Sequence, residues 1–343
     1  MITAYYRQDG KIEARQIAAA DPLPHDLCWL DLHTPDDEER AAVSRALNID
    51  VPTRADTEEI EASSRLYVDN GVIYLTTAVL VGTDTSDHEM ADLTLIVTKQ
   101  HLVILHFSEP KSVAIFAARA RRDPSLVANP NNAVLAFMDA LADRTADMLE
   151  LTGRRVDALS RQIFKRPAAR AHGTARLMRR HNDNSGPSEQ LYGSSLKEIL
   201  HGVGGTGDIL HLSYHSINGM IRMSAFLAQS LVEHLSPEQM TLMRTLQGDL
   251  RSLHDHSQFL IQETTFLLDA TLGHINNEQN DIFRLLSMAS VVLMPSNLLA
   301  GIYGMNFSSI PGLHGEASVW IVIGMMVLSI VTALVYFKRR GWW

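Results

Sequence analysis

Alternating steps of three and four residues back from Gly304 reach Gly301, Asn297, Met294, Ser290, Ser287, Phe283 and Asn280. On a helix these positions share one stripe, and all but Met294 and Phe283 are small or carry a neutral polar group. Burying an amide such as Asn297 or Asn280 without a partner costs ~1–3 kcal/mol or more, so the stripe asks for polar surroundings. It holds no carboxylate. Amides, hydroxyls and backbone carbonyls can hold a cation through its water shell without stripping it, which suits Mg²⁺, an ion that dehydrates reluctantly. Phe283, Leu286 and Met294 would narrow such a path into apolar constrictions that gate by dewetting. Leu285, Val291, Val292, Leu293, Leu298, Leu299 and Ile302 lie off the stripe and suit lipid or a second helix. Small residues also permit plain helix contact. The two asparagines favour the polar path.

The helix that carries the stripe is expected to cross a membrane. Arg284 is the last charge before an uncharged run over 285–315, whose apolar part is long enough for a ~30 Å hydrocarbon core. Glu316 interrupts the run, 317–337 is again uncharged, and Lys338-Arg339-Arg340 closes it. That basic cluster predicts a cytosolic C-terminus, and two crossings put the N-terminal domain on the same side. Trp320, Tyr336, Trp342 and Trp343 fit interfacial aromatics. Upstream, no strong breaker separates Pro237 from Pro295, so the helix would be ~100 Å long by Asn306 at 1.5 Å per residue. Pro295 removes one helical hydrogen bond. Two helices cannot enclose a pore, so a permeation path needs several copies, each giving one lining helix. A 3.5-residue period suits parallel helices around an axis.

Elsewhere the 343-residue chain is ordinary, 46% hydrophobic and 20% charged. Its net charge of −9 argues against nucleic-acid partners. Cys28 is the sole cysteine, which excludes an intrachain disulfide or a cysteine metal cluster. The start of the chain turns polar before any signal-peptide core could form, so no secretory leader is expected. No nucleophile motif, phosphate-binding glycine loop or His-Glu-x-x-His occurs, so neither an enzyme nor a cofactor is expected.

Residues 1–125 read as a mixed α/β domain. Its signals are a strand over 28–32, a helix to Leu47 capped by Thr34 or Asp36, and a hairpin around Asp69-Asn70-Gly71. A second hairpin turns at Thr98-Lys99-Gln100, and a helix follows over 110–122. Residues 126–236 form a helical hairpin region, with 182–187 and 202–207 read as loops and helix resuming over 209–235. Pro237 opens a fresh helix, the stalk and first span over 237–307. An outer loop over 308–318, a second span over 319–337 and a basic tail over 338–343 complete the plan. His201, His211, His215, His254, His256 and His274 fall on the helical part. His254 and His256, two apart, do not share a helix face, so a zinc site there is not expected.

The run Met294-Pro295-Ser296-Asn297-Leu298-Leu299-Ala300-Gly301-Ile302-Tyr303-Gly304-Met305-Asn306-Phe307 resembles the signature of the CorA magnesium/cobalt transporter family. Gly-Met-Asn alone is a weak motif. Eight matching residues at the outer end of the penultimate span are specific. Glu59-Ile60-Glu61-Ala62-Ser63-Ser64-Arg65, the hairpins and the basic, Trp-ending tail are similar too.

The resemblance implies a funnel-shaped homopentamer: an α+β cytosolic domain, long stalk helices and two C-terminal transmembrane helices in a bacterial-type plasma membrane. Gly304, Met305 and Asn306 would form the outer selectivity ring. Asn280, Phe283, Leu286, Ser287, Ser290, Met294, Asn297 and Gly301 would line or gate the pore. The cargo would be Mg²⁺, with Co²⁺ and Ni²⁺. Two departures stand out. The outer loop reads Ile310-Pro311-Gly312-Leu313 where many members carry Met-Pro-Glu-Leu, leaving Glu316 as the candidate outer attractor. In the stalk, Arg251-Ser252-Leu253-His254-Asp255-His256 replaces Arg-Asp-Val-x-Asp-His, so a regulatory cation would fall to Asp84, Asp87 and Asp255. The alternatives are a Zn²⁺ transporter of the ZntB branch, possibly proton-coupled, and a membrane-tethered sensor or scaffold.

Overall fold

The computed structural model describes residues 1–59, 61–82, 88–164, 188–305 and 318–341. It divides into two compact units, Met1–Leu268 and Asp269–Trp343.

The first unit is built on a mixed sheet of β1 (Ile2–Gln8), β2 (Lys11–Ile17), β3 (Leu27–His33), β4 (Leu66–Asp69), β5 (Val72–Val81), β6 (Glu89–Val97) and β7 (Leu102–His106). The strand order is β2-β1-β3-β7-β6-β5-β4. The β3–β7 pair is parallel, from Trp29 with Leu102 to His33 with His106; the other pairings are antiparallel. Alternation along these strands feeds two cores. One face carries Ala4, Leu30, Leu32, Val103, Leu105 and Ile96, packed with Val43 of α1 (Asp37–Leu47). The other carries Trp29, which stacks on Tyr5 at 4.1 Å and meets Phe116 at 4.9 Å; Phe116 meets Phe137 at 5.3 Å.

Of the two expected caps for α1, Asp36 is the one used. Its side chain accepts from the Glu39 amide at 2.8 Å and the Glu39 carboxylate accepts from the Asp36 amide at 3.1 Å, a reciprocal capping box. Thr34 instead sits in the left-handed region, φ 45°, which does not lead into a helix. Two short helices follow, α2 (Arg54–Thr57) and α3 (Ala62–Arg65).

Three further helices cover the second face, α4 (Lys111–Arg122), α5 (Pro130–Phe164) and α6 (Ser188–Ser230), and the first part of α7 (Pro237–Tyr303) packs on α5 and α6. The expected loop at 202–207 is instead helical, inside α6. Its glycines serve contact: a Cβ on Gly202 would stand 3.0 Å from Leu159 Cδ2, and one on Gly207 would stand 3.7 Å from Thr264 Cγ2. The helix thereby approaches α5 and α7 closely, and that packing outweighs the ~1 kcal/mol helix penalty of each glycine. The expected loop at 182–187 lies outside the described residues. The inward side of α7 in this unit is Met243, Leu246, Leu250, Leu260 and Leu267, all buried.

The second unit holds the rest of α7 and α8 (Ser318–Arg339). Both helices are long and apolar enough to cross a membrane, and almost no residue of their most apolar stretches is fully buried. Core helices of a soluble fold would hide such side chains, whereas Leu285, Leu298, Trp320 and Leu328 stand 62%, 64%, 75% and 66% exposed.

Candidate functional site

The membrane-length part of α7 has two distinct sides. Arg284, Met288, Val292, Ser296, Leu299 and Tyr303 are half-buried, spaced by three and four residues. Val322, Met326, Ser329, Ala333 and Phe337 of α8 repeat the same spacing and the same loss of exposure. The two rows meet through Ser296, whose Oγ lies 3.3 Å from Ser329 Oγ and donates to the Met326 carbonyl at 3.5 Å. At the lower end the Arg284 guanidinium donates to the Gly341 carbonyl at 3.5 Å.

The polar stripe lies on the other side. At 100° per residue its mean direction is about 160° from the row that meets α8. Asn280, Ser287, Ser290, Asn297, Gly301, Gly304 and Met305 are exposed, as are Phe283 (65%), Leu286 (56%) and Met294 (73%). All of these lie together on the free side of one helix, with Leu286 at the margin of the stripe. Of the expected outer ring, Gly304 and Met305 are described, while Asn306 and Glu316 lie outside the described residues.

Local chemistry explains parts of the stripe and leaves others open. Ser290 returns its hydroxyl to the Leu286 carbonyl at 2.9 Å, which satisfies it without a partner helix. Gly304 closes the helix, its amide donating to the Ala300 carbonyl at 2.8 Å. A Cβ there would stand 2.9 Å from that same carbonyl oxygen, so the turn itself demands glycine. Gly301 differs, because a Cβ on it would meet nothing within 4 Å. Among the described residues nothing requires a small residue at 301.

Sequence reasoning ended the stripe at Asn280. The same spacing continues through Asn276 and Gly273 to Asp269, all exposed, so a carboxylate stands at its N-terminal end. The clue was the 3.5-residue repeat itself, followed past the last apolar residue.

Of the expected regulatory set, Asp84 and Asp87 lie outside the described residues. Asp255 is exposed and accepts from His254 Nδ1 at 3.2 Å. His254 turns toward Tyr214 of α6, ring centroids 5.1 Å apart, while His256 stacks on Phe259. The two imidazoles point away from each other, as their spacing predicts. No group of three or more metal-ligating side chains occurs among the described residues.

Comparisons with known proteins agree with this architecture. The family model for the CorA-like Mg²⁺ transporter protein matches residues 24–339. The magnesium transport protein CorA of Escherichia coli is 26% identical over 343 residues, covering 100% of both chains. That of Haemophilus influenzae is 26% identical over 314 residues, 92% of this chain and 91% of its own. The CorA magnesium transporter structure from Methanocaldococcus jannaschii superimposes with a TM-score of 0.74 at 17% identity, covering 100% of this chain and 99% of that one.

Proposed function

The chain belongs to the CorA-like Mg²⁺ transporter protein family, and from that premise we infer that it carries hydrated Mg²⁺ inward across a bacterial-type plasma membrane. The pore is lined by the polar stripe of α7 from five copies, with both termini in the cytosol. The observation that carries this reading is the direction of the stripe. It faces away from α8, so copies arranged around an axis would enclose it. With no carboxylate among the stripe positions from Asn280 to Gly304, the path favours an ion that keeps its water. Asn297 and Asn306 would contact that shell; Met294, Leu286 and Phe283 would form the apolar constrictions. Asp269 would gather cations at the inner mouth and Glu316 at the outer one. Co²⁺ and Ni²⁺, of similar size and hydration, would share the path. Lys338, Arg339 and Arg340 at the end of α8 support the inward orientation.

The test is ion uptake into proteoliposomes containing the full chain, together with the subunit count of the detergent-solubilised protein. Mg²⁺ uptake that needs no pH gradient, lost in Asn306→Ala, with five copies per particle, is the expected result. Zn²⁺ flux that requires a pH gradient, with no Mg²⁺ flux, would assign the chain to zinc transport instead. Wild-type uptake by Asn306→Ala would remove the selectivity ring from the mechanism.

A further inference from the structure

On the Met1–Leu268 unit, helix α6 carries His211 and His215 four residues apart. At that spacing two side chains share one helix face, with Cβ atoms about 5–6 Å apart. Two imidazoles so placed can close on one ion at the ~2.0–2.1 Å bond length of zinc to a ring nitrogen. The two histidines of a His-Glu-x-x-His helix use the same spacing. We propose that His211 and His215 bind a transition divalent cation, Zn²⁺, Ni²⁺ or Co²⁺, as a two-imidazole chelate.

Three observations carry it. First, both histidines are exposed, while Leu210, Ser213 and Ile217 on the opposite side of the same turns are 0%, 1% and 0% exposed. The packed side pins the helix, so the two Cβ positions are fixed before any ion arrives. Second, neither ring has a hydrogen bond, ion pair or ring contact among the described residues. Histidines elsewhere are engaged: His101 with the Leu27 carbonyl, His106 with Asp31, His254 with Asp255 and Tyr214, and His256 with Phe259. Third, Asp208 is exposed three residues before His211 on the same face, where its carboxylate favours a dication. Arg222, seven residues beyond His215, stands about 10 Å further along the axis, and solvent screens its charge. The ligand type sets the selectivity. Imidazole suits transition ions, whereas Mg²⁺ keeps oxygen ligands and water. The segment reads His211-Leu212-Ser213-Tyr214-His215, with leucine in place of the basic glutamate, so the site holds an ion without hydrolytic chemistry.

The test measures no flux, so its outcome does not depend on the transport reading. The full chain, in detergent and without a histidine tag, is titrated by calorimetry with NiCl₂ and separately with ZnCl₂, Mg²⁺ being in about hundredfold excess. A saturable binding phase is expected, weakened about tenfold or more in His211→Gln and in His215→Gln. His201→Gln, about 15 Å away along the helix, should bind as the wild type does. Glutamine is a good helix former and all three positions are exposed, so the variants keep the fold. Thermal melts give a second reading, since Ni²⁺ should raise the Tm of the wild type more than that of either pair variant. The proposal is overturned if neither ion binds, if Mg²⁺ abolishes the binding, or if His211→Gln or His215→Gln binds as tightly as the wild type.

Discussion

At Asn297 the amide stands exposed while its neighbours Ser296 and Leu299 turn toward α8. Leucine there keeps the side-chain length and deletes the donor and acceptor that a hydrated ion would meet. Asn297→Leu is expected to lower Mg²⁺ uptake about tenfold or more while leaving the particle mass unchanged. Flux at the wild-type level would show that this side chain faces something other than water. A second residue reports on the sheet. His101 donates from Nδ1 to the Leu27 carbonyl at 3.0 Å, and burial pushes its pKa below the usual histidine value despite that bond. The unfolded chain therefore binds the proton more readily than the folded one. Stability is retained above the ordinary histidine range and declines as pH falls below it. His101→Gln is expected to flatten the fall in Tm between pH 7 and pH 5, measured by thermal unfolding, and an unchanged slope would clear His101 of that role.

Helix α6 packs along β5 and comes closest to it at Gly219. A Cβ added to Gly219 would stand 2.2 Å from Thr77 Oγ1 and 3.5 Å from Thr77 Cβ. Gly219→Ala is expected to destabilise by about 1–3 kcal/mol, through overpacking rather than backbone strain. Thr77→Ala in the same chain removes the clashing oxygen and should restore most of the loss. Denaturant midpoints of the two singles and the double measure this, and additive losses would contradict it.

Elements with strong local signals were readable in advance. The Asn70-Gly71 hairpin, the Pro237 helix start and both membrane-length helices stand where expected. The β1–β2 hairpin was not read, although Asp9-Gly10 carries the same turn chemistry, with φ of 49° and 77°. Its outer strand buries only Ile12 and Ile17, so the alternation that marks a strand is too sparse to see. The helix through 202–207 was hidden for the opposite reason. Its glycines look like breakers locally, and their use becomes plain only when Leu159 and Thr264 are seen against them. The stripe on α7 was legible because periodicity alone defines it. Which side α8 would cover was not, since that depends on packing between two equally apolar helices.

For the whole molecule, two charges moving down a membrane potential gain about 4–5 kcal/mol per 100 mV. That drive alone suffices for a passive path. Collapsing the potential while holding the pH gradient is expected to cut Mg²⁺ uptake about tenfold or more, followed by a fluorescent Mg²⁺ indicator in energised vesicles. Uptake that survives collapse of the potential but not of the pH gradient would point to proton coupling.

The parallel contact between β3 and β7 bears on how the chain is made. One antiparallel three-strand group, β2-β1-β3, is complete by His33, and the meander β4 to β7 by His106; in the described sheet they join where Trp29–His33 lies against Leu102–His106. On the ribosome, β3 emerges roughly 4–15 s before its neighbour, at about 5–20 residues per second. Throughout that wait it presents Trp29, Leu30 and Leu32 along an unpaired edge, side chains that end up 0% exposed. The nascent chain is therefore most prone to mispairing well before its first membrane helix is synthesised.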